Sequence, residues 1–305
     1  MPSFPMTMRE TVSSRPMPLD QADGLRRLFA HARTLVVPVV SNPHVAFGGV
    51  LLERLCAAFA EHGKHSLVVD ASERASAASE LAVLDVAEGI EALSAEVSYL
   101  SARGLPVRHV DGHGSTAPFV QAVIDAAPQA DVVLVHASAS ELCRMFARQR
   151  PDNGTPTVRP VLLADDRPAS VTHAYAAMKL LTQRGGLVVH DLLLGAASHS
   201  PRSERIAMQL ATCADDFLGA VLRGWAALDP LDAPSAPPGA ALRRLVIEML
   251  RGVDADGHAG TPAAFTQPED DTLAYLQHHH HRVDRPAGPD TYRREMAGHL
   301  SGAAI

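Results

Sequence analysis

The chain has 305 residues, 47% of them apolar and 4% aromatic, with a formal net charge of -7. A sizeable Leu/Val/Ala core is available, in one large domain with tails or in two smaller ones. The acidic balance excludes sequence-independent nucleic-acid binding by the whole chain, which needs clustered Lys and Arg.

Residues 1–19 carry several Pro and Ser and few apolar anchors, and are expected to be disordered. A short helix is expected over 20–33. Asp20 serves as its cap, Leu25, Leu28 and Phe29 form an apolar stripe, and Arg26, Arg27 and Arg33 lie toward the negative end of its dipole. From Leu35 onward, short apolar runs alternate with helical patterns. The runs at 35–40, 66–70, 107–110, 131–136, 159–164, 186–194 and 221–228 predict strands. Helices are predicted near 49–62, 89–103, 116–127, 138–149, 169–184 and 202–218. Runs apolar on both faces suit a covered parallel sheet, and the alternation predicts a doubly wound α/β domain over 34–230 with helices on both faces.

Residues 231–240 form a Pro-rich linker. Beyond it, Leu242, Leu245, Val246, Met249, Leu250 and Val253 make one face of an amphipathic helix over 241–253, flanked by Arg243, Arg244 and Arg251. That face suits either a last core helix or peripheral contact with an anionic membrane. The remainder to 305 reads as a flexible tail with a last short helix over 291–300. Its tract His278 to His281 binds metal adventitiously at most.

No run reaches the roughly 18 apolar residues of a spanning helix, and no signal peptide is expected. Cys56, Cys143 and Cys213 are far apart and lack C-x-x-C spacing. They read as buried thiols in a reducing compartment, so a cytoplasmic location is expected, with the inner membrane or cell pole as peripheral options.

The segment SNPHVAFGG, Ser41 to Gly49, lies between a buried-type strand and a helix. A phosphate loop sits there and needs backbone N–H groups, a Lys and a Ser or Thr for magnesium. A second apolar run ends at Asp70. Taken in order, LDQADGLRRLF (19–29), this loop, EHGKHSLVVDAS (61–72), ADVVLVHASA (130–139) and DRPASVTHAYAAMKLL (166–181) resemble the MinD/ParA class of deviant-Walker ATPases. Within that class they are similar to the flagellar-number regulators of the FlhG/FleN family. The resemblance spans roughly residues 20–230 and implies the SIMIBI-type P-loop fold.

It also implies what has been lost. Asn42 through Gly49 take the place of GKGGVGKT, so Pro43 replaces the signature Lys, Gly48 the loop Lys and Gly49 the magnesium Thr. Ser72 replaces the second Asp of D-A-D, His136 and His173 replace acids, and His190 replaces an adenine-reading Asn. The residues Asn42, Pro43, Gly48, Gly49, Asp70, His136 and His190 are thus expected to mark a degenerate nucleotide site. No cofactor is expected, ATP with magnesium being the ligand only of a site that still functions. The chain is expected not to be an ATPase.

In the resembled family the D-Q-A-x-x-L-R motif engages the flagellar signal-recognition-type GTPase FlhF and stimulates it. The matching Asp20, Gln21, Ala22, Leu25, Arg26 and Arg27 are the expected partner-binding set, with Gln21 placing the attacking water. Flagellar basal-body proteins are further expected partners, and nucleic acid is not. The runner-up expectations are a weak but working MinD-like ATPase and a purely structural adaptor.

Two other patterns carry histidines. His109, Asp111 and His113 have metal-ligand spacing but suit a solvated loop. His136 and His173 are possible general bases, with no Ser, Cys or Asp at nucleophile spacing beside them.

Overall fold

A computed structural model describes residues 34–147, 158–197, 200–233 and 236–257. The expected activator helix at 20–33, the His tract and the short helix at 291–300 lie outside the described residues.

One eight-stranded sheet carries the fold. Its strands are β1 Leu35–Val40, β2 Ser66–Asp70, β3 Ile90–Ala92, β4 Val97–Ser101, β5 Val132–Ala137, β6 Val161–Asp165, β7 Val189–Gly195 and β8 Val221–Leu228. Their order across the sheet is β3-β4-β2-β5-β1-β6-β7-β8. All neighbours pair in parallel except β3 with β4. The helices are α1 Gly48–Ala60, α2 Glu80–Leu84, α3 Ala117–Ala126, α4 Ala139–Phe146, α5 Pro168–Gly185, α6 Pro201–Leu218 and α7 Ala240–Gly257.

Two apolar layers sandwich this sheet. On one face Leu51, Leu55 and Phe59 of α1 and Leu242, Leu245 and Val246 of α7 pack against Val37, Val39 and Leu163. On the other, Phe119, Leu142, Met178 and Leu210 from α3 to α6 pack against Leu67, Leu162 and Leu192. Each such fully buried side chain stabilises the fold by roughly 1.5–3 kcal/mol. The doubly wound α/β architecture read from the sequence is therefore the observed one. Pro38 sits inside the central strand β1 and has no N–H to give. The β1–β6 ladder is confined to Val39 and Val40, beyond it.

Two sequence expectations fail between β2 and α3. The predicted helix at 89–103 is the β3–β4 hairpin. Val97 to Ser101 alternate half-buried and buried, a period of two that the surrounding Ala and Glu mask as helical. The predicted strand at 107–110 is a 3-10 turn, Pro106–His109. Proline fixes its start, and Gly104 at φ 83° turns the chain into it.

The amphipathic face of α7 is in the core. Leu242 is 1% exposed, Val246 0% and Met249 3%, so these side chains are not available to a membrane. No described helix is long and apolar enough to cross one. The linker before α7 is clamped. Arg54, buried on α1, donates through Nη1 to the Ala236 carbonyl at 2.8 Å and through Nη2 to Asp232 at 2.9 Å and to Ala233. This guanidinium ties the Pro-rich segment to the α/β body.

Candidate ligand cleft at the carboxyl ends of the strands

β1 and β5 are neighbours, yet α1 leaves β1 toward one face of the sheet and α4 leaves β5 toward the other. Diverging connections of this kind open a crevice beyond the strand ends. A cleft of about 480 Å³ lies there, lined by Asn42, Pro43, Gly48, Gly49, Asp70 and His136 among others. Six of the seven expected site residues therefore come together. The exception is His190, the second residue of β7 rather than the residue after a strand. It lies toward the amino end of that strand, fully buried, with Nε2 3.1 Å from the Thr182 hydroxyl. Burial pushes its pKa down to about 4, so it is a neutral core histidine. The apolar run 186–194 hid where its strand begins.

The loop after β1 is held by Asn42 and by three side chains outside the expected site set, Asp165, Arg167 and Arg74. Asn42 is buried, and its Nδ2 donates to the Leu163 carbonyl at 2.9 Å and to the Ser170 carbonyl at 3.0 Å. Its Oδ1 accepts from the His44 amide at 3.0 Å. Asp165, at the end of β6, accepts from the Ala46 amide at 3.3 Å and from Arg167 Nε at 2.9 Å. Arg167 also donates to the His44 carbonyl, and Arg74 donates to the Pro43 carbonyl at 2.6 Å. The segment is thus pinned from below by Asn42 and Asp165 and fastened from outside by two guanidiniums.

Helix α1 begins at Gly48 and Gly49 with no side-chain cap and no acidic residue in its first turn. The first amides of a helix have no intrahelical partner, and both glycines line the cleft. The charge around them is not cationic. Among the described residues, two carboxylates, Asp70 and Glu73, stand against one guanidinium, that of Arg74, and the lining has no Lys.

The acid and the imidazole at the ends of β2 and β5 form a pair. These strands are in register with Asp70 opposite His136, and Asp70 Oδ1 lies 3.0 Å from His136 Nδ1. Burial alone would raise the Asp70 pKa. The His136 hydrogen bond and charge, with the Ser72 bonds, outweigh it and hold the carboxyl below its ordinary value. An ionised carboxylate only accepts, so the proton of this bond sits on Nδ1. Sequence reading missed this pair because its members are distant along the chain. The available signal was that both close apolar runs and both precede a small residue and a serine.

His173, on α5, also lines the cleft, its ring 5.7 Å from that of His44. Burial, and then the nearby His44, hold its pKa below the ordinary histidine value, against a hydrogen bond the imidazole donates to the Ser41 backbone. Away from the cleft, Asp111 accepts from the amides of His113 at 2.8 Å and Ser115 at 2.9 Å. His109 packs beside Phe119. This H-x-D-x-H run builds a turn, and no group of three His, Cys, Asp or Glu suited to a metal is found among the described residues. Cys56 and Cys143 are buried thiols, and burial pushes Cys56 up to about 12.

No protein-family profile matches this chain, and no curated protein does. Solved structures are similar to it at low identity. The MinD cell division protein of Aquifex aeolicus is 15% identical over 72% of this chain and 96% of that one, with a TM-score of 0.42. Cobyrinic acid a,c-diamide synthase from Mycobacterium smegmatis, with bound ADP and magnesium, is 14% identical over 77% and 100%, with a TM-score of 0.49. The septum site-determining protein MinD of Pyrococcus horikoshii, complexed with Mg-ADP, is 13% identical over 75% and 99%, with a TM-score of 0.43.

Proposed function

We propose that this chain is a MinD/ParA-like protein withdrawn from the ATP cycle, which acts by touching another protein. The observation that carries this reading is the electrostatics of the cleft. Its lining has no Lys, and its one guanidinium, Arg74, donates to a loop carbonyl. Pro43 has no N–H, and the Ala46 amide already donates to Asp165. Gly49 offers no hydroxyl to a magnesium ion. A hydrogen bond to a charged group is worth roughly 1.5–3 kcal/mol, and phosphoryl transfer rests almost wholly on positioning and charge neutralisation. The residues present do not fit a magnesium–triphosphate group, and no hydrolytic step is derived through one.

The activity assigned to the chain is stimulation of the flagellar signal-recognition-type GTPase, and through it control of flagellar number or placement. This part rests on the resemblance of residues 19–29. A glutamine in the first turn of a tethered helix can order a water in another protein's site without a nucleotide of its own. Gln21 has that role, and Arg26 and Arg27 pair acidic groups of the partner. The test is GTP turnover by the purified partner with the full chain, with Gln21→Ala, and with residues 1–33 deleted. Stimulation by the full chain alone supports the reading. Equal stimulation by all three overturns it and favours an adaptor that works through its α/β surface.

One observation favours a second reading, a weak nucleotide site. The amides at the uncapped Gly48–Gly49 helix start can still receive an anion. Nucleotide titration distinguishes the two.

A further inference from the structure

We propose that the cleft holds a general-base site, in which His136, oriented by Asp70, activates water for hydrolysis of an uncharged carboxylic ester. Asp70 Oδ1 lies 3.0 Å from Nδ1 and fixes the ring, so in the neutral imidazole the lone pair is on Nε2. His136 lines the cleft, and among the described residues Nε2 has no protein partner. An imidazole with one nitrogen anchored to a carboxylate and the other open to a cleft is poised to take a proton.

The neighbours decide the nucleophile and the substrate class. The Ser138 hydroxyl caps α4, accepting from the Glu141 amide at 3.3 Å, and is bonded to Ser140 at 2.9 Å. Water is therefore the nucleophile the geometry leaves. Gly48 and Gly49, at the uncapped start of α1, line the same cleft, and amides at such a helix start can stabilise an oxyanion. Asp70 and Glu73 repel anionic substrates, while Val45, Leu52 and Leu180 offer an apolar wall. An ester with a small apolar acyl group fits both constraints.

The reaction balances without a co-reactant. The water oxygen bonds to the carbonyl carbon as its proton passes to Nε2, and the carbonyl π pair moves to oxygen. Collapse of that adduct breaks the carbon–oxygen bond to the alcohol, and the departing alkoxide takes the proton back from Nε2. Acid and alcohol leave, and nothing is oxidised or reduced. The inference uses neither the N-terminal segment nor a nucleotide, so it stands or falls apart from the proposed function.

The test is hydrolysis of p-nitrophenyl butyrate by the purified full chain between pH 5 and 9. Saturable turnover is expected. His136→Gln is expected to lower kcat/KM by about 100-fold or more. Asp70→Asn is expected to lower kcat by at least about 10-fold with little change in KM, as loss of an orienting group does. His109→Gln, outside the cleft, is expected to leave the rate unchanged. A rate linear in substrate and indifferent to His136→Gln would overturn the proposal. Should His136→Gln fail to fold by thermal melting, the kcat of Asp70→Asn decides alone, and an unchanged value refutes the site.

Discussion

Asp70 and His136 are 66 residues apart in the chain and 3.0 Å apart in space. The register of β2 on β5 sets them side by side at the rim of one cleft. A position that resembles a lost nucleotide ligand in the sequence is, in the folded protein, half of an ordered acid–imidazole pair.

If missing positive charge is what disables the loop, restoring it should have a measurable effect. Gly48→Lys with Gly49→Thr is sterically free. A Cβ at Gly48 meets its nearest neighbour, Val45, at 4.0 Å, a Cβ at Gly49 meets nothing within 4 Å, and neither glycine has a left-handed backbone. The double variant should melt no lower than the parent, since glycine is a poor helix former. It should also acquire millimolar ATP binding by calorimetry. Absence of any binding would contradict the charge argument and place the loss in the pinned backbone.

The Asp191 carboxyl is fully buried, 3.9 Å from Arg159 Nη1. Burial raises its pKa from 3.8 to about 6, against the pull of Arg159. The folded value lies above the unfolded one, so this group favours the fold most below about pH 4. That contribution declines as pH rises through about 6. Asp191→Asn should flatten this part of the stability-versus-pH curve relative to the parent, an effect on the order of 2–3 kcal/mol between pH 4 and 7. Urea denaturation at several pH values measures it, and parallel curves for the two proteins would refute the assignment.

Arg54→Met keeps the apolar stem and removes three bonds to the linker carbonyls. A loss of about 2–4 kcal/mol is expected, with proteolytic cleavage appearing between Asp229 and Gly239 before the sheet unfolds. Undiminished stability and protease resistance would mean that the linker is held by other contacts.

Much of the architecture is legible in the residues themselves. β1, β2, β5 and β6 are mostly apolar runs, and buried parallel strands read that way because both faces are covered. The hairpin β3–β4 at the sheet edge did not, because half-exposed Val97 and Tyr99 dilute its alternation. Within the cleft, the loop residues and Asp70 were legible as run endings. Asn42, Asp165 and Arg167 as loop anchors were not, since their partners come from β6 and α5 through long-range bonds that no local pattern encodes. His190 was misplaced for the opposite reason. Leu187 to Val189 precede it as an apolar run that gives no sign of where the hydrogen-bonded strand begins, at Val189.

Calorimetric titration of the full chain with ATP and magnesium bears most directly on the claim that this cleft no longer grips nucleotide. The account predicts no saturable heat into the millimolar range. Binding in the micromolar range, with heat lost on omission of magnesium, would contradict it.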